Sequence, residues 1–295
     1  MELLPFGKLP PYKARAFVPA ELKIDNWDAI APIFDQLDTA IDECISAADL
    51  EAWLLNVSEL GAILDEDGSR RYIAMTCHTS VDAAKRAYLD FVENIEPHLK
   101  ERFFQLATKF ISHPNRADLS VSRYEMLNRD WQSTVDLFRE ENVPLETEES
   151  KVGQQYQGKM GALTVEFKGE EKTLVQMGVY LQETDRSVRQ EAWELVANRR
   201  LAVADECDQQ FGQLKDIRIQ IAKNAGYANY RDYKHIAKGR FDYQPEDCFK
   251  FHEAVEKVVM PAYNELLAER KTKLGLDALR PWDTTVDPDG LEPLK

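Results

Sequence analysis

Apolar residues recur at helical spacing along most of this chain, and that period constrains the fold more than any short motif does. Trp27, Ile30, Phe34, Leu37, Ile41 and Ile45 fall three or four apart, which places them on one helix face. Leu50, Trp53, Leu54, Val57, Leu60 and Leu64 form a second stripe closed by Asp67-Gly68, and the two read as an antiparallel pair. A third segment carries Ala84, Ala87, Tyr88 and Phe91 behind Ser80 as a cap. A fourth, with Leu99, Phe103, Leu106 and Phe110, stops near His113-Pro114, because the residue before a proline is driven out of the helical region. Short connections between such helices favour a bundle.

Tyr124 to Phe138 keeps the period through Leu127, Trp131 and Val135, and the acidic stretch Glu140 to Ser150 suits a connection or a short helix. The texture then changes. Leu163, Val165 and Phe167 alternate with polar or small neighbours, Lys168-Gly169-Glu170 supplies a turn, and a short return strand follows near Glu171 to Thr173. Val188, Ala192, Leu195, Ala202, Leu214, Ile217 and Ile221 restore helical spacing from Thr184 to a stop at Gly226, with a break near Gly212 left open. Unbroken, that helix would span about 60 Å. Pro245 suits the first turn of a last helix reaching Gly275, with Val255, Val258, Val259, Ala262, Leu266 and Leu267 turned inward and a kink at Pro261. The expected fold is therefore mainly α, a helical bundle with one small β-hairpin. It divides into an extension (1–20), a helical bundle (21–115), a linking helix with the hairpin (116–175) and a long-helix region (176–295).

With 295 residues, 44% of them hydrophobic, the chain can bury a substantial core. Its 37 Lys and Arg against 52 Asp and Glu leave a formal charge of −15, which repels nucleic acid and anionic membrane surfaces, and no basic patch offsets it. Met1 to Tyr12 holds Pro5, Pro10 and Pro11 and lacks the roughly 7–15 consecutive apolar residues of a signal peptide. No later run approaches the ~18 of a membrane span, so a cytoplasmic protein is expected. Cys44, Cys77, Cys207 and Cys248 lie far apart and read as buried, reduced thiols.

His252-Glu253-Ala254-Val255-Glu256 begins like the HExxH pattern, in which two imidazoles four apart hold zinc and the Glu between them acts as base. Its fifth position is Glu, and no third ligand is evident. A packing histidine beside Val255 and Val259 fits better, with Glu253 and Lys257 paired towards water. His78, His98, His113 and His235 are scattered. Only His235 follows an acid at three residues, Asp232, which suits local hydrogen bonding rather than a di-iron set. Gly153 to Lys159 matches most of a phosphate-binding loop, but Met160 replaces the hydroxyl that should meet magnesium, and a loop entering the hairpin is the better reading. Tyr227, Tyr230, Tyr233, Phe241 and Tyr243 interleave with Arg231, Lys234, Lys238 and Arg240. That stretch is either a ligand-facing wall able to hold a peptide carboxylate or a helix-packing surface with solvated cations.

Asp185-Arg186-Ser187-Val188-Arg189-Gln190-Glu191-Ala192-Trp193, Asn224-Ala225-Gly226-Tyr227, Tyr230-Arg231-Asp232-Tyr233 and Arg240-Phe241-Asp242-Tyr243 together resemble the oligoendopeptidase F group of thimet-oligopeptidase-like zinc metallopeptidases. Leu274-Gly275-Leu276, Leu279-Arg280-Pro281-Trp282-Asp283 and the region Gly161 to Leu174 extend the likeness, which runs from about Leu22 to the end. The resemblance is to the family's amino-terminal half. It implies part of a two-sided channel peptidase that cuts short oligopeptides with zinc-activated water. It places the intact HExxH helix and the glutamate ligand past Lys295, in a missing carboxy-terminal catalytic half. No catalytic or metal-binding residue is therefore expected in this chain, its substrate-binding residues stay unassigned, and zinc is expected in the complete enzyme only. The other reading is a non-enzymatic helical module that binds peptides or a protein.

Overall fold

Trp27 opens the first helix of the computed structural model, which describes residues 14–291. The Pro-rich start from Met1 to Tyr12 lies outside the described residues. Contacts divide the chain into two units, residues 1–73 with 87–136 and residues 74–86 with 137–295.

In the first unit, α1 (Trp27–Ala40) is capped by Asn26, whose side chain accepts the Ala29 N–H at 3.1 Å. With α4 (Glu96–Ser112) and the parts of α2 (Ala47–Cys77), α3 (Asp82–Asn94) and α5 (Val121–Leu137) that belong to this unit, it encloses a core in which Phe34, Leu37, Leu50, Leu60, Leu106 and Phe110 have no exposed surface. Each such side chain contributes roughly 1.5–3 kcal/mol through burial. Trp53 stacks on Phe110, meets Trp131 edge-on and donates its indole N–H to the Leu37 carbonyl at 2.8 Å, so its one polar atom is satisfied. The first stripe ends earlier than its period suggests. The helical turn after α1 stops at Glu43, which leaves Ile45 87% exposed. Gly68 does not close the second stripe, because α2 runs through it to Cys77. A Cβ at Gly68 would stand 3.1 Å from the Phe91 ring, so the glycine admits a neighbouring side chain.

The entry segment is held by one carboxylate. Glu59 on α2 accepts the backbone N–H groups of Ala16, Phe17 and Val18 at 2.9, 3.0 and 2.7 Å. Burial acts to raise its pKa, but the three amides outweigh it and hold the carboxyl below its ordinary range.

In the second unit, the acidic stretch opens with a short 3-10 turn (Glu140–Asn142), and its remainder joins the glycine-rich segment after it in one helix, α6 (Val143–Gly161), with Pro144 in the first turn, where its missing N–H costs nothing. The segment Gly153 to Lys159 is thus helical and not a loop entering the hairpin. The hairpin itself forms as its alternation predicts. β1 (Thr164–Phe167) pairs antiparallel with β2 (Glu170–Thr173), Phe167 opposite Glu170. Lys168 and Gly169, at φ 55 and 79, make the left-handed two-residue turn. Phe167 packs with Tyr180, Met177 and Ala192 in a small core.

The long helix is two helices, α7 (Arg186–Leu201) and α8 (Ala204–Asn224), and the break falls at Ala202-Val203 instead of near Gly212. Arg199 and Arg200 end α7, and Asp205 and Glu206 begin α8. Each pair suits the dipole of the helix end it occupies. Gly226, at φ 84, stops α8 as predicted. The last helix covers its predicted length as α10 (Pro245–Ala254), a π turn (Val255–Val259) and α11 (Met260–Lys273), closed by Gly275 at φ 63. Its distortion lies in the π turn just before Pro261, and none of its residues is buried. Val255, Val258, Val259, Ala262, Leu266 and Leu267 therefore do not turn into a core within the described residues.

Candidate functional site

The tyrosine-rich stretch folds as α9 (Tyr230–Ala237), entered from Gly226 and capped by Asn229, whose side chain accepts the Asp232 N–H at 3.0 Å. Tyr233 is buried among Leu137, Ile221, Ala222 and Ala225, edge-on to Tyr227 and 5.8 Å from Tyr230. Arg218 lies over the Tyr230 ring and donates to Glu149 at 2.7 Å. Burial first, then the Glu146 carboxylate and its neighbours, push the Tyr233 phenol up to about 12, so it stays protonated at neutral pH. These tyrosines make a packing core, the second of the two sequence readings. His235 is buried, and its Nε2 lies 2.8 Å from the Tyr243 carbonyl. A carbonyl only accepts, so Nε2 carries the proton there. Asp232 binds Asn229 and Arg231, which keeps the hydrogen bonding of both residues local. Arg231 reaches over Phe249 at 5.5 Å.

A denser polar constellation, which no sequence motif marks as a site, gathers around Asp283. Asp283 has no exposed surface. Its Oδ1 accepts from Arg186 Nε at 2.9 Å and Arg189 Nη2 at 3.2 Å, and its Oδ2 accepts from Arg186 Nη2 and the Arg280 N–H, both at 2.9 Å. Arg189, also buried, donates from Nε to the Trp282 carbonyl and from Nη1 to the carbonyls of Glu183 and Thr184. Trp282 packs on Trp193, and Arg186 lies over the Trp282 ring. Burial acts to raise the Asp283 pKa, and the two arginines with the Arg280 amide outweigh it and hold it low. A carboxylate with four donors has no lone pair left for a substrate proton, so this is a clamp fixing the segment after α11 onto α7. Its sequence signal was the pairing of Arg186 and Arg189, one turn apart, with a lone Trp-Asp after the last helix.

Both clamp segments lie inside a matched family region. Residues 17–138 match the Peptidase M3 N-terminal domain, and residues 179–288 match Peptidase family M3. The chain belongs to peptidase family M3. The fold of this M3 chain is shared with a crystal structure described as an oligoendopeptidase F from Bacillus anthracis str. Ames, at TM-score 0.84 and 21% identity, covering 92% of this chain and 50% of that one. PZ peptidase A with inhibitor 2 matches at TM-score 0.85 and 22% identity over 93% and 49% of the two chains. A second oligoendopeptidase F structure matches at TM-score 0.86 and 21% identity over 94% and 49%. The M3 chain thus spans about half the length of the solved structures it matches. No curated protein matches it.

The residues described do not fit a catalytic zinc, which takes three protein ligands. Among them no group of three His, Cys, Asp or Glu side chains could hold a metal ion. His252 is exposed on α10 between the rings of Phe249 and Phe251, so it is not the core packing residue its spacing suggested. Glu253 pairs with Lys257 at 3.5 Å, both towards water as predicted. His98 stacks on Trp27, and His113 Nδ1 accepts the Asn115 N–H. Lys159 of the glycine-rich segment pairs with Glu206 at 2.5 Å. The four cysteines are free thiols, but none is buried and Cys77 is exposed. Among the described residues no helix is long and apolar enough to cross a membrane.

Proposed function

We propose that this chain is the enclosing, non-catalytic part of a zinc-dependent M3 oligopeptidase whose substrates are short, unstructured peptides. The observation that carries the reading is the extent of the family match. Two M3 regions lie in order along the chain, and its fold covers more than nine-tenths of itself but only about half of each solved relative. In this reading the zinc and its ligands belong to a portion of the family fold outside these 295 residues, and the helical walls admit an extended peptide while excluding folded domains. Binding energy from such walls orients the peptide without any acid or base in this part.

A quenched fluorescent peptide tests the reading. The isolated chain should leave it intact, and chelator-sensitive cleavage should appear when a zinc-loaded catalytic portion of an M3 peptidase from the same genome is added. Chelator-sensitive cleavage by the isolated 295 residues would overturn the proposal.

A further inference from the structure

From Pro245 to Lys273 the chain runs as one helical arm of about 43 Å at 1.5 Å per residue, with no buried residue along it. Phe251, Val255, Val259, Tyr263 and Leu267 lie four apart. In an uninterrupted α-helix this row would drift by about 160° over its length, since each residue turns about 100°. The π turn at Val255–Val259 takes up one extra residue and cuts the drift to about 60°. The row therefore stays on one side of the arm, flanked by Val258 and Leu266, while the ion pair of Glu253 with Lys257 sits on the opposite face. Phe251 is 66% exposed, Val258 72%, Val259 52%, Tyr263 48% and Leu266 62%. A contiguous apolar patch on this scale marks an interaction surface in a water-soluble protein.

We infer that this stripe is the seat of an apolar helix from the portion of the M3 fold that lies outside these 295 residues. The inference rests on the proposed function and names the contact through which the two parts join. Three observations choose that occupant. The arm lies within the matched region 179–288, so it belongs to the shared fold rather than to an appendage. The solved relatives are about twice as long as the chain, which supplies the additional fold needed to cover it. The four-residue row is the ridge that interdigitates with a second helix in the commonest packing class. A second copy is the poorer occupant, because it brings two chains of formal charge −15 together.

The test uses the full chain and the double variant Val258→Lys with Leu266→Lys. Both positions are exposed, so circular dichroism and the melting temperature should match wild type. Wild type should bind a hydrophobic dye and the variant should lose most of that signal; equal dye binding by both would overturn the assignment of the stripe as an accessible apolar surface. With the zinc-loaded M3 catalytic portion added, wild type should associate and restore cleavage, and the variant should bind about tenfold more weakly or worse, the scale of a lost interface anchor. If both restore cleavage equally, the arm is not the joint and the proposed function stands. If neither associates nor cleaves, the proposed function falls and takes the occupant with it. Wild-type dimers in sedimentation that the variant abolishes would assign the stripe to a second copy and overturn the inference.

Discussion

Helix α2 and the arm from Pro245 to Lys273 both carry apolar residues at helical spacing, yet one is sealed and the other open. Along α2, Leu50, Trp53, Leu54, Val57, Leu60 and Leu64 are buried by α1, α4 and the segments around them. Along the arm, Val258, Val259, Tyr263 and Leu266 face water. The difference teaches that a period of three to four reports a demand for cover. Whether the cover is present depends on which neighbours the chain itself provides.

The largest expected effect tests the sealed side. Phe34→Ala should lower the unfolding free energy by about 3–5 kcal/mol, measured by urea titration, because nothing fills the space left by a ring with no exposed surface. Asp283→Asn should cost about 3 kcal/mol, since it strands the buried Arg189 cation. This loss has a pH signature. The folded pKa of Asp283 is depressed, so its stabilisation is present above the ordinary Asp pKa of about 3.9 and fades as pH falls through the lower folded value. In Asp283→Asn the stability slope over that acid range should flatten, and an unchanged slope would count against the clamp.

Glu59→Gln should cost about 1.5 kcal/mol, the scale of hydrogen bonds to a charged group, and should speed amide exchange at Phe17 and Val18. Protection unchanged at those amides would show that the entry segment is held by its apolar contacts alone. The smallest effect belongs to the open side. Phe251→Ala should stay within about 0.5 kcal/mol of wild type in the same urea titration. If it matched the cost of Phe34→Ala, the contrast between the two helices would disappear.

Much of the fold was legible because its signals are local. The hairpin follows from Val165 and Phe167 alternating into a Lys-Gly turn, and Gly226 and Gly275 stop their helices because glycine adopts positive φ at little cost. Gly68 and Gly212 carried the same letter and stopped nothing. Inside a helix a glycine costs about 1 kcal/mol, which packing such as that of Phe91 against Gly68 can offset. The break after α7 was legible in principle from Arg199 and Arg200 followed by Asp205 and Glu206, charges suited to two opposed helix ends.

The site was less legible. Tyr227, Tyr230 and Tyr233 read equally as a ligand wall or a packing surface, since a tyrosine serves either, and only their neighbours Leu137 and Ile221 decide for packing. Asp283 lies 94 positions from Arg189 in sequence, a separation across which no spacing rule operates. By itself, then, the sequence determined the helical class, the hairpin, the stops at Gly226 and Gly275 and the likeness to one peptidase family, because these rest on local backbone preference and residue order. Tertiary structure alone decided which apolar faces are sealed, which carboxylate is saturated and which histidine is buried. Burial and ion pairing are set by the atoms that arrive from distant parts of the chain, and those atoms leave no periodic trace in it.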